Sequence, residues 1–414
     1  MDTHEKIRSL MEQALSDHEG SGSLRALASG ERTRDALDPI NIRTLGNRGF
    51  GGTRLFRILL TNACAFECDY CPMRASRELP RHALEPRALA EIFMTAYRNG
   101  WVSGLFVTTG IPKSPRWAMD RLLELVETLR FRHRFAGYLH AKAVAGAEAA
   151  QVERLALLCD RVSYNLESAC QATLDRVAPE KSVASGVEVL RRVRDVSRGA
   201  GTRRVAGDPR PPGRAVAAGA TTQFVVGIGR ETDREILASS HELWRDGTIH
   251  HPHFAAFRPI EDTPLENAPE VPAAREHRLY QADYLQRLYG FAPEEIVFAA
   301  SGQLPLGRDP KLHWALAHPE RFPVEISTAE RETLLRVPGL GPRSVERLLA
   351  IRRTAGRIVL ADLARLGAAA RRAAGFLMHG GRRLGERAFQ DELFPEEEFP
   401  GPSRVYGFSP GTFR

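Results

Sequence analysis

No run of this chain approaches the roughly 20 consecutive apolar residues that span a bilayer, and the opening MDTHEKIRSLMEQAL holds no apolar stretch of signal-peptide length. A cytoplasmic protein without a membrane partner is expected. Cysteine is scarce, five in 414 residues, and three of the five are bunched within one short stretch, which makes a poor disulfide framework and agrees with a reducing compartment. Lysine is missing from residues 331–390, which carry 13 Arg and 4 acidic residues for a net of +9. The tail from Asp391 has 5 acidic residues against 2 Arg, so of the overall +7 only +1 belongs to the first 330 residues. Such a basic island is the footprint of a nucleic-acid contact surface, although an Arg-rich genome composition leaves the same mark. With 43% hydrophobic residues, the chain has room for one large and one small domain.

The three bunched cysteines are Cys64, Cys68 and Cys71 in TNACAFECDYCPMR. C-x-x-x-C-x-x-C is an iron-sulfur spacing: thiolate suits such clusters, and three thiolates on one loop can hold three irons of a [4Fe-4S] cube while the fourth iron stays open for a cofactor. FRILLT ahead of the loop reads as a buried strand, and Tyr70 places an aromatic face beside the last ligand. The alternative is a closed zinc or four-thiolate site completed by Cys159 or Cys170. Zinc sites usually pair two short knuckles, and no second knuckle follows. On these residues the chain resembles the radical S-adenosylmethionine (SAM) enzymes. The resemblance implies that the open iron chelates SAM and that reductive cleavage yields methionine and a 5'-deoxyadenosyl radical.

Strands and helices alternate after an N-terminal arm of residues 1–50. RLFRILLT, LFVTT, AGYLHA, RVSYNLE, TTQFVVG and HFAAFRP read as six short apolar strands separated by helical segments, which implies a parallel sheet. The fold class expected is α/β. The resemblance specifies it as a radical SAM partial (β/α)6 barrel over 51–265, while a doubly wound open sheet has the same periodicity. GAGTRRVAGDPRPPGRAVAAGA, between the fourth and fifth strands, shows no apolar period and reads as a mobile surface loop. A helical cap or connector is expected over 266–328, a small all-α helix-hairpin-helix domain over 329–388, and a disordered tail over 389–414.

Active sites of βα-barrels gather at the C-terminal ends of the strands, which selects candidates. Thr108, Thr109 and Gly110 follow the second strand, where radical SAM enzymes place small residues near the SAM amino group; the common Gly-Gly-Glu form is absent here. Asn165 and Glu167, two apart, point from one face of the fourth strand, and the carboxylate is a candidate for the ribose hydroxyls or for a helix cap. Gly227 and Gly229 in GIGRETDREI resemble the Gly-rich turn that passes the adenine. Glu231, Thr232 and Asp233 read as the capped start of the next helix. The resemblance gives SAM binding to Tyr70, Thr108, Thr109, Gly110, Asn165, Glu167 and Gly227. Tyr164, Tyr280 and Cys170 are candidates for a closing hydrogen donor, and no residue is assigned as catalytic.

LLRVPGLGPRSVERLLAIRRT reads as a helix, a hairpin from Pro338 to Pro342 and a second helix, and it resembles a helix-hairpin-helix. Gly339 and Gly341 permit the tight reversal, Leu340 lies between them, and the exposed N–H groups at the next helix start favour an anion. Ser344 lies in that first turn, while Arg343 and Arg347, one turn apart, add charge-assisted phosphate contacts, which bind without reading sequence. IVLADLARLGAAARRAAGFLMHGGR repeats the pattern loosely around Gly367, with Arg371 and Arg372 in its second helix.

The cysteine loop, TTQFVVG, ETDREI, FRPIEDTPLE, LYQADYLQRLYGF, DPKLHWALAHPERFP and RVPGLGP occur in one order over nearly the whole chain. Together they resemble a family of bacterial radical SAM proteins described as DNA-modification or DNA-repair enzymes, which tend to be encoded beside a uracil-DNA-glycosylase-like protein. The resemblance implies a [4Fe-4S] cluster, SAM, a DNA substrate, an electron donor such as flavodoxin or ferredoxin, and that glycosylase-like partner. Two other readings remain: a radical SAM enzyme modifying RNA or tRNA, and a non-catalytic iron-sulfur adaptor that binds DNA for the partner.

Overall fold

The computed structural model describes residues 3–14, 47–48, 54–199, 205–355, 358, 365 and 368–385. Most of the polar stretch after the first helix, the second hairpin at Gly367 and the tail over 389–414 lie outside the described residues. Among the described residues the chain divides into two compact units, one within Met1–Glu231 and Glu242–Val271, the other within Thr232–His241 and Pro272–Phe399.

In the first unit, β1 (Asn47–Arg48) runs antiparallel to β2 (Arg54–Leu59), and β3 (Gly104–Thr108), β4 (Tyr138–Lys142), β5 (Arg161–Ser163), β6 (Ala220–Val226) and β7 (His251–Ala256) follow in parallel. β1 was not legible in the sequence. Strand order equals chain order from end to end. A doubly wound sheet reverses its order part-way; here each parallel crossover advances the strand order in the same direction. This is the partial barrel of six parallel strands. Its helices are α1 (Thr3–Ala14), α2 (Pro86–Arg98), α3 (Pro115–Glu127), α4 (Ala149–Leu158), α5 (Gln171–Val177) and α6 (Val183–Arg198), and α7 (Asp233–Arg245) is divided between the two units, its first nine residues belonging to the second. Local chemistry starts them: Pro115 opens α3, and the Ser114 hydroxyl accepts from Trp117 N–H at 3.1 Å.

The two faces of the sheet differ. Phe56, Ile58, Leu105, Val107, Leu139, Val162, Phe224 and Phe254 are all buried on one face, where Phe56 meets Phe93 of α2 at 6.2 Å and Phe224 stacks on Phe254. That face is the core. The register puts Arg57, Phe106 and His140 in one row of the other face, and Lys142, Ser163, Thr221 and His251 in the next.

The loop between β5 and β6 is packed where it is described, contrary to the expectation of a mobile surface loop. Arg210 is 7% exposed and donates to the Leu157 carbonyl at 2.6 Å and the Asp208 carboxylate at 2.7 Å. Ala218 N–H donates to the Asp160 carbonyl, and the Asp160 carboxylate accepts from the wholly buried Arg130, each at 2.8 Å. A buried carboxylate requires several donors. Residues outside the loop set that requirement, so its Gly/Pro/Arg composition did not reveal it.

The second unit holds α8 (Ala273–Tyr289), α9 (Pro310–Ala317), α10 (Arg331–Arg336), α11 (Pro342–Ala355) and α12 (Ala368–Ala373). It also holds β8 (Val324–Glu325), β9 (Leu377–His379) and β10 (Arg382–Arg383), joined in a small sheet. The C-terminal region is therefore not all-α: residues after α12 return to pair with a strand that precedes the hairpin.

Candidate active site

The cysteine loop leaves the C-terminal end of β2 and is fixed from several sides. Thr61 Oγ1 donates to the His82 carbonyl at 2.7 Å and accepts from Ala63 N–H. Gly110, at the exit of β3, donates its N–H to the Thr61 carbonyl at 2.8 Å, and a Cβ there would lie 2.1 Å from the Ala63 carbonyl oxygen. Only glycine fits that approach. Arg81 donates to five carbonyls of the loop, those of Asn62, Met73, Arg74, Ala75 and Arg77. Asp69 N–H reaches the Val177 carbonyl at the end of α5, and Arg77 reaches the Glu261 carbonyl in the turn after β7.

Beside the loop is a buried ion pair. Lys181 Nζ lies 2.6 Å from Glu167 Oε1 and 3.2 Å from the Tyr70 hydroxyl, and stands over the Tyr70 ring. Burial alone would lower the Lys181 pKa; the Glu167 carboxylate, with Tyr70 and Cys68, holds it well above the usual range. Burial and Glu167 push the Tyr70 phenol well up. Glu167 itself has φ 65, a left-handed conformation that is strained for a side chain. Its backbone is clamped on both sides, donating to the Gln223 carbonyl at 2.8 Å and accepting from Val225 N–H at 2.7 Å. Asn165 Oδ1, Glu167 Oε2 and Gln223 Oε1 are buried without a hydrogen-bond partner. These are acceptors awaiting a donor.

All three cysteines are free thiols. Burial pushes Cys68 up to about 11 and Cys71 up to about 12, and both feel the charge of Cys64. Met73 N–H donates to Cys71 Sγ at 3.4 Å, the kind of bond that tunes a cluster thiolate. Cys159 is buried just before β5, beside Arg130 and Asp160, at the opposite end of the sheet from the loop. It cannot complete a four-thiolate site. Among the described residues no three His, Cys, Asp or Glu groups stand close enough to share one metal ion, and thiolates bound to three separate irons of a cube have no such need. The donor set fits a [4Fe-4S] cluster.

Residues 58–209 match the Radical SAM superfamily. The match opens within β2, contains all three cysteines and runs past α6. That segment of the chain is similar to the radical SAM superfamily. The cofactors of that superfamily are a [4Fe-4S] cluster and SAM. The chain is similar to the solved structure of HydG, a maturase of the [FeFe]-hydrogenase, at 14% identity over 69% of this chain and 62% of that one, with a TM-score of 0.42. Methylornithine synthase (PylB) is similar at 14% identity over 67% of this chain and 77% of that one, TM-score 0.43. The cobalamin-dependent SAM radical enzyme OxsB is similar at 13% identity over 80% and 48%, TM-score 0.35. The chain thus spans less than two thirds of the length of HydG. No curated protein matches it in sequence.

Tyr70 and Glu167 meet at Lys181, whose charge also reaches Cys68 and Cys71, while Thr108, Thr109 and Gly110 lie at the exit of β3 that grips the cysteine loop. Regular pairing in β5 ends at Ser163, so Asn165 and Glu167 stand on an irregular extension of the strand, not on regular strand as expected. Gly227 has φ 90. Gly229 is required by the protein's own packing, since a Cβ there would lie 2.2 Å from Thr173 Oγ1. Glu231 is no helix cap: it is 5% exposed and accepts from Thr173 Oγ1 at 2.9 Å, and Glu235 instead caps against Thr232. Of the donor candidates, Tyr164 is buried against Gly186, Cys170 precedes α5, and Tyr280 stacks on Tyr284 in the second unit. Sequence reasoning missed Arg81 and Lys181. Both are ordinary surface residue types in polar stretches, and only their partners distinguish them.

In the second unit the chain reverses between α10 and α11. Gly339 has φ 85, and Leu340 N–H donates to the Val337 carbonyl at 3.1 Å. Leu340 is 1% exposed and its carbonyl accepts from the buried Lys311, so this residue anchors the turn from within. A Cβ on Gly341 would meet the Tyr289 hydroxyl at 3.2 Å, a contact tighter than usual. Arg343 and Arg347 are exposed on α11 and Ser344 is half-buried. Burial lowers the Lys311 pKa to about 7.

Proposed function

We propose that the protein is a radical SAM enzyme acting on DNA, holding the duplex backbone with the 338–347 hairpin segment. When bound, the cluster supplies the electron that cleaves SAM to methionine and a 5'-deoxyadenosyl radical, which takes hydrogen from a base or deoxyribose. Cys64, Cys68 and Cys71 hold the cluster. Gly110 and Arg81 fix their loop, and Lys181 orients Glu167 beside it, leaving Oε2 for SAM. Thr108, Thr109, Asn165 and Gly227 complete the cofactor face. A flavodoxin or ferredoxin is the electron donor and a uracil-DNA-glycosylase-like protein the partner in this reading. A base inside a duplex must be flipped out or presented unpaired to be reached.

The observation that supports the DNA reading is the hairpin. Its reversal is anchored from within by Lys311 and Leu340, with Arg343 and Arg347 exposed on the helix that follows. First-turn N–H groups lack intrahelical acceptors, and the helix start attracts a phosphate. The test is 5'-deoxyadenosine formation by anaerobically reconstituted, reduced protein given SAM, with and without duplex DNA and with matched RNA. Cys71→Ala is the control. Formation stimulated by DNA is expected. Stimulation by RNA alone transfers the substrate to RNA, and no product under any condition refutes the enzyme reading in favour of an adaptor. Arg343→Ala with Arg347→Ala is expected to weaken duplex binding and to lower the salt slope by about 2.

A further inference from the structure

Polar side chains stand on both faces of β6, and folding treats the two faces differently. Thr222 shares the side of the Phe224–Phe254 stack, and its Oγ1 accepts from Leu166 N–H at 3.2 Å. Thr221 and Gln223 alternate with it onto the opposite face. They are 0% and 4% exposed, and Thr221 Oγ1 and Gln223 Oε1 are buried without a hydrogen-bond partner. Their surroundings are otherwise engaged. Ser163, beside Thr221 in the register, has its Oγ 2.9 Å from His140 Nε2, and the Gln223 carbonyl accepts from Glu167 N–H at 2.8 Å. The main chain of β6 is thus held in the sheet while two of its side-chain acceptors are left over.

Burying an acceptor with nothing to accept is unfavourable, and folded proteins keep few such groups, chiefly where a ligand meets them. Two residues apart on one strand, the two groups are about 7 Å from each other. A carboxamide presents an acceptor beside a donor, and a hydroxyl supplies either. That combination matches the edge of a cyclic amide or amidine, where an N–H adjoins a carbonyl or ring nitrogen, as it does on every nucleobase. Glu167, bonded to Gln223 through the main chain, keeps Oε2 for SAM in the reading above. A group held by Gln223 therefore lies next to the cofactor. We propose that Gln223, with Thr221, binds the hydrogen-bonding edge of a nucleobase drawn into the barrel and so selects the base placed beside SAM. The site stands on the geometry of β6; its assignment to a base of DNA, as opposed to a free nucleoside, rests on the DNA reading above.

Binding to the reconstituted full-length protein, saturated with SAM, separates the two. The probes are labelled single-stranded heptamers, read by fluorescence anisotropy, and free deoxynucleosides, read by calorimetry. Every site of the heptamer is abasic, or every site but a central adenine, cytosine, guanine, thymine or uracil. At least one base is expected to tighten binding about tenfold or more over the wholly abasic strand. That gain is expected to fall to within about twofold in Gln223→Met, which keeps the length of the side chain and removes both hydrogen-bonding atoms, and to shrink in Thr221→Val. SAM affinity should stay within about twofold of wild type in both variants. Because the acceptors removed have no partner in the folded chain, neither unfolding midpoint should fall. A gain that survives in both variants, or strands that bind with no gain from any base, overturns the site while leaving the DNA reading intact. A parallel loss of SAM affinity assigns Gln223 to the cofactor, and lowered midpoints in both variants assign the pair to the fold; either overturns the proposal. Gln223-dependent binding of a deoxynucleoside without binding of any strand supports the site and removes the DNA source, and binding of neither overturns both.

Discussion

Replacing Arg81 tests how the cysteine loop is held. Its guanidinium donates to the carbonyls of Asn62 at 2.9 Å, Met73 at 2.8 Å, Arg74 at 2.6 Å, Ala75 at 3.4 Å and Arg77 at 2.8 Å. These carbonyls belong to the loop that carries Cys64, Cys68 and Cys71, so one side chain sets the path of the backbone on both sides of the ligands. A hydrogen bond to a charged group is worth about 1.5–3 kcal/mol. The loop is half-buried, and water replaces part of what is lost, so the net cost of Arg81→Ala to the ordered loop is about 3–5 kcal/mol. Arg81→Lys keeps the charge but offers three donors from a single point in place of a planar fork, and is expected to recover about half of that. The assay is iron bound per chain after anaerobic reconstitution, followed by the rate of iron loss to a chelator, with far-ultraviolet circular dichroism to verify the barrel. Iron content should fall in the order wild type, Lys, Ala. An Arg81→Ala protein that loads iron fully and releases it at the wild-type rate refutes the reasoning.

Gly110→Ala forces a Cβ to within 2.1 Å of the Ala63 carbonyl oxygen; the loop must shift, and reduced iron loading with a folded barrel is the expected result. Lys181→Met leaves the Glu167 carboxylate buried and unpaired, at a cost of about 3–5 kcal/mol in urea unfolding, and the double variant with Glu167→Gln should recover much of it. Additive losses would show that the pair is not coupled. Lys311 gives a pH dependence: its folded pKa of about 7 lies below the ordinary 10.5, so between those values the unfolded chain binds a proton that the folded one does not. Stability therefore rises with pH across that window, by up to about 1.4 kcal/mol per unit. It is least below pH 7, and Lys311→Met should remove the slope in pH-dependent denaturant titrations.

The sequence by itself determined the chemistry of the cysteine loop and the class of the fold. Ligand spacing is local along the chain, and strand-helix alternation is written in apolar periodicity. RLFRILLT, LFVTT and TTQFVVG were legible because each is buried on the helix-packed side of the sheet. The end of β5 was less so. Nothing in SYNLES announces that Glu167 takes a left-handed conformation, because the two hydrogen bonds that hold it come from β6. Arg210 read as a loop residue because the buried Asp160 it serves lies fifty residues earlier. Tertiary structure alone decided between a singly wound and a doubly wound sheet, since that choice is a matter of strand order and leaves no local trace. It also decided which polar residues matter: Arg81 and Lys181 acquire their roles from carbonyls and a carboxylate brought to them by folding. The same holds for Arg57 of β2 and Phe106 of β3, which lie far apart in the chain and become neighbours only through the register of parallel strands.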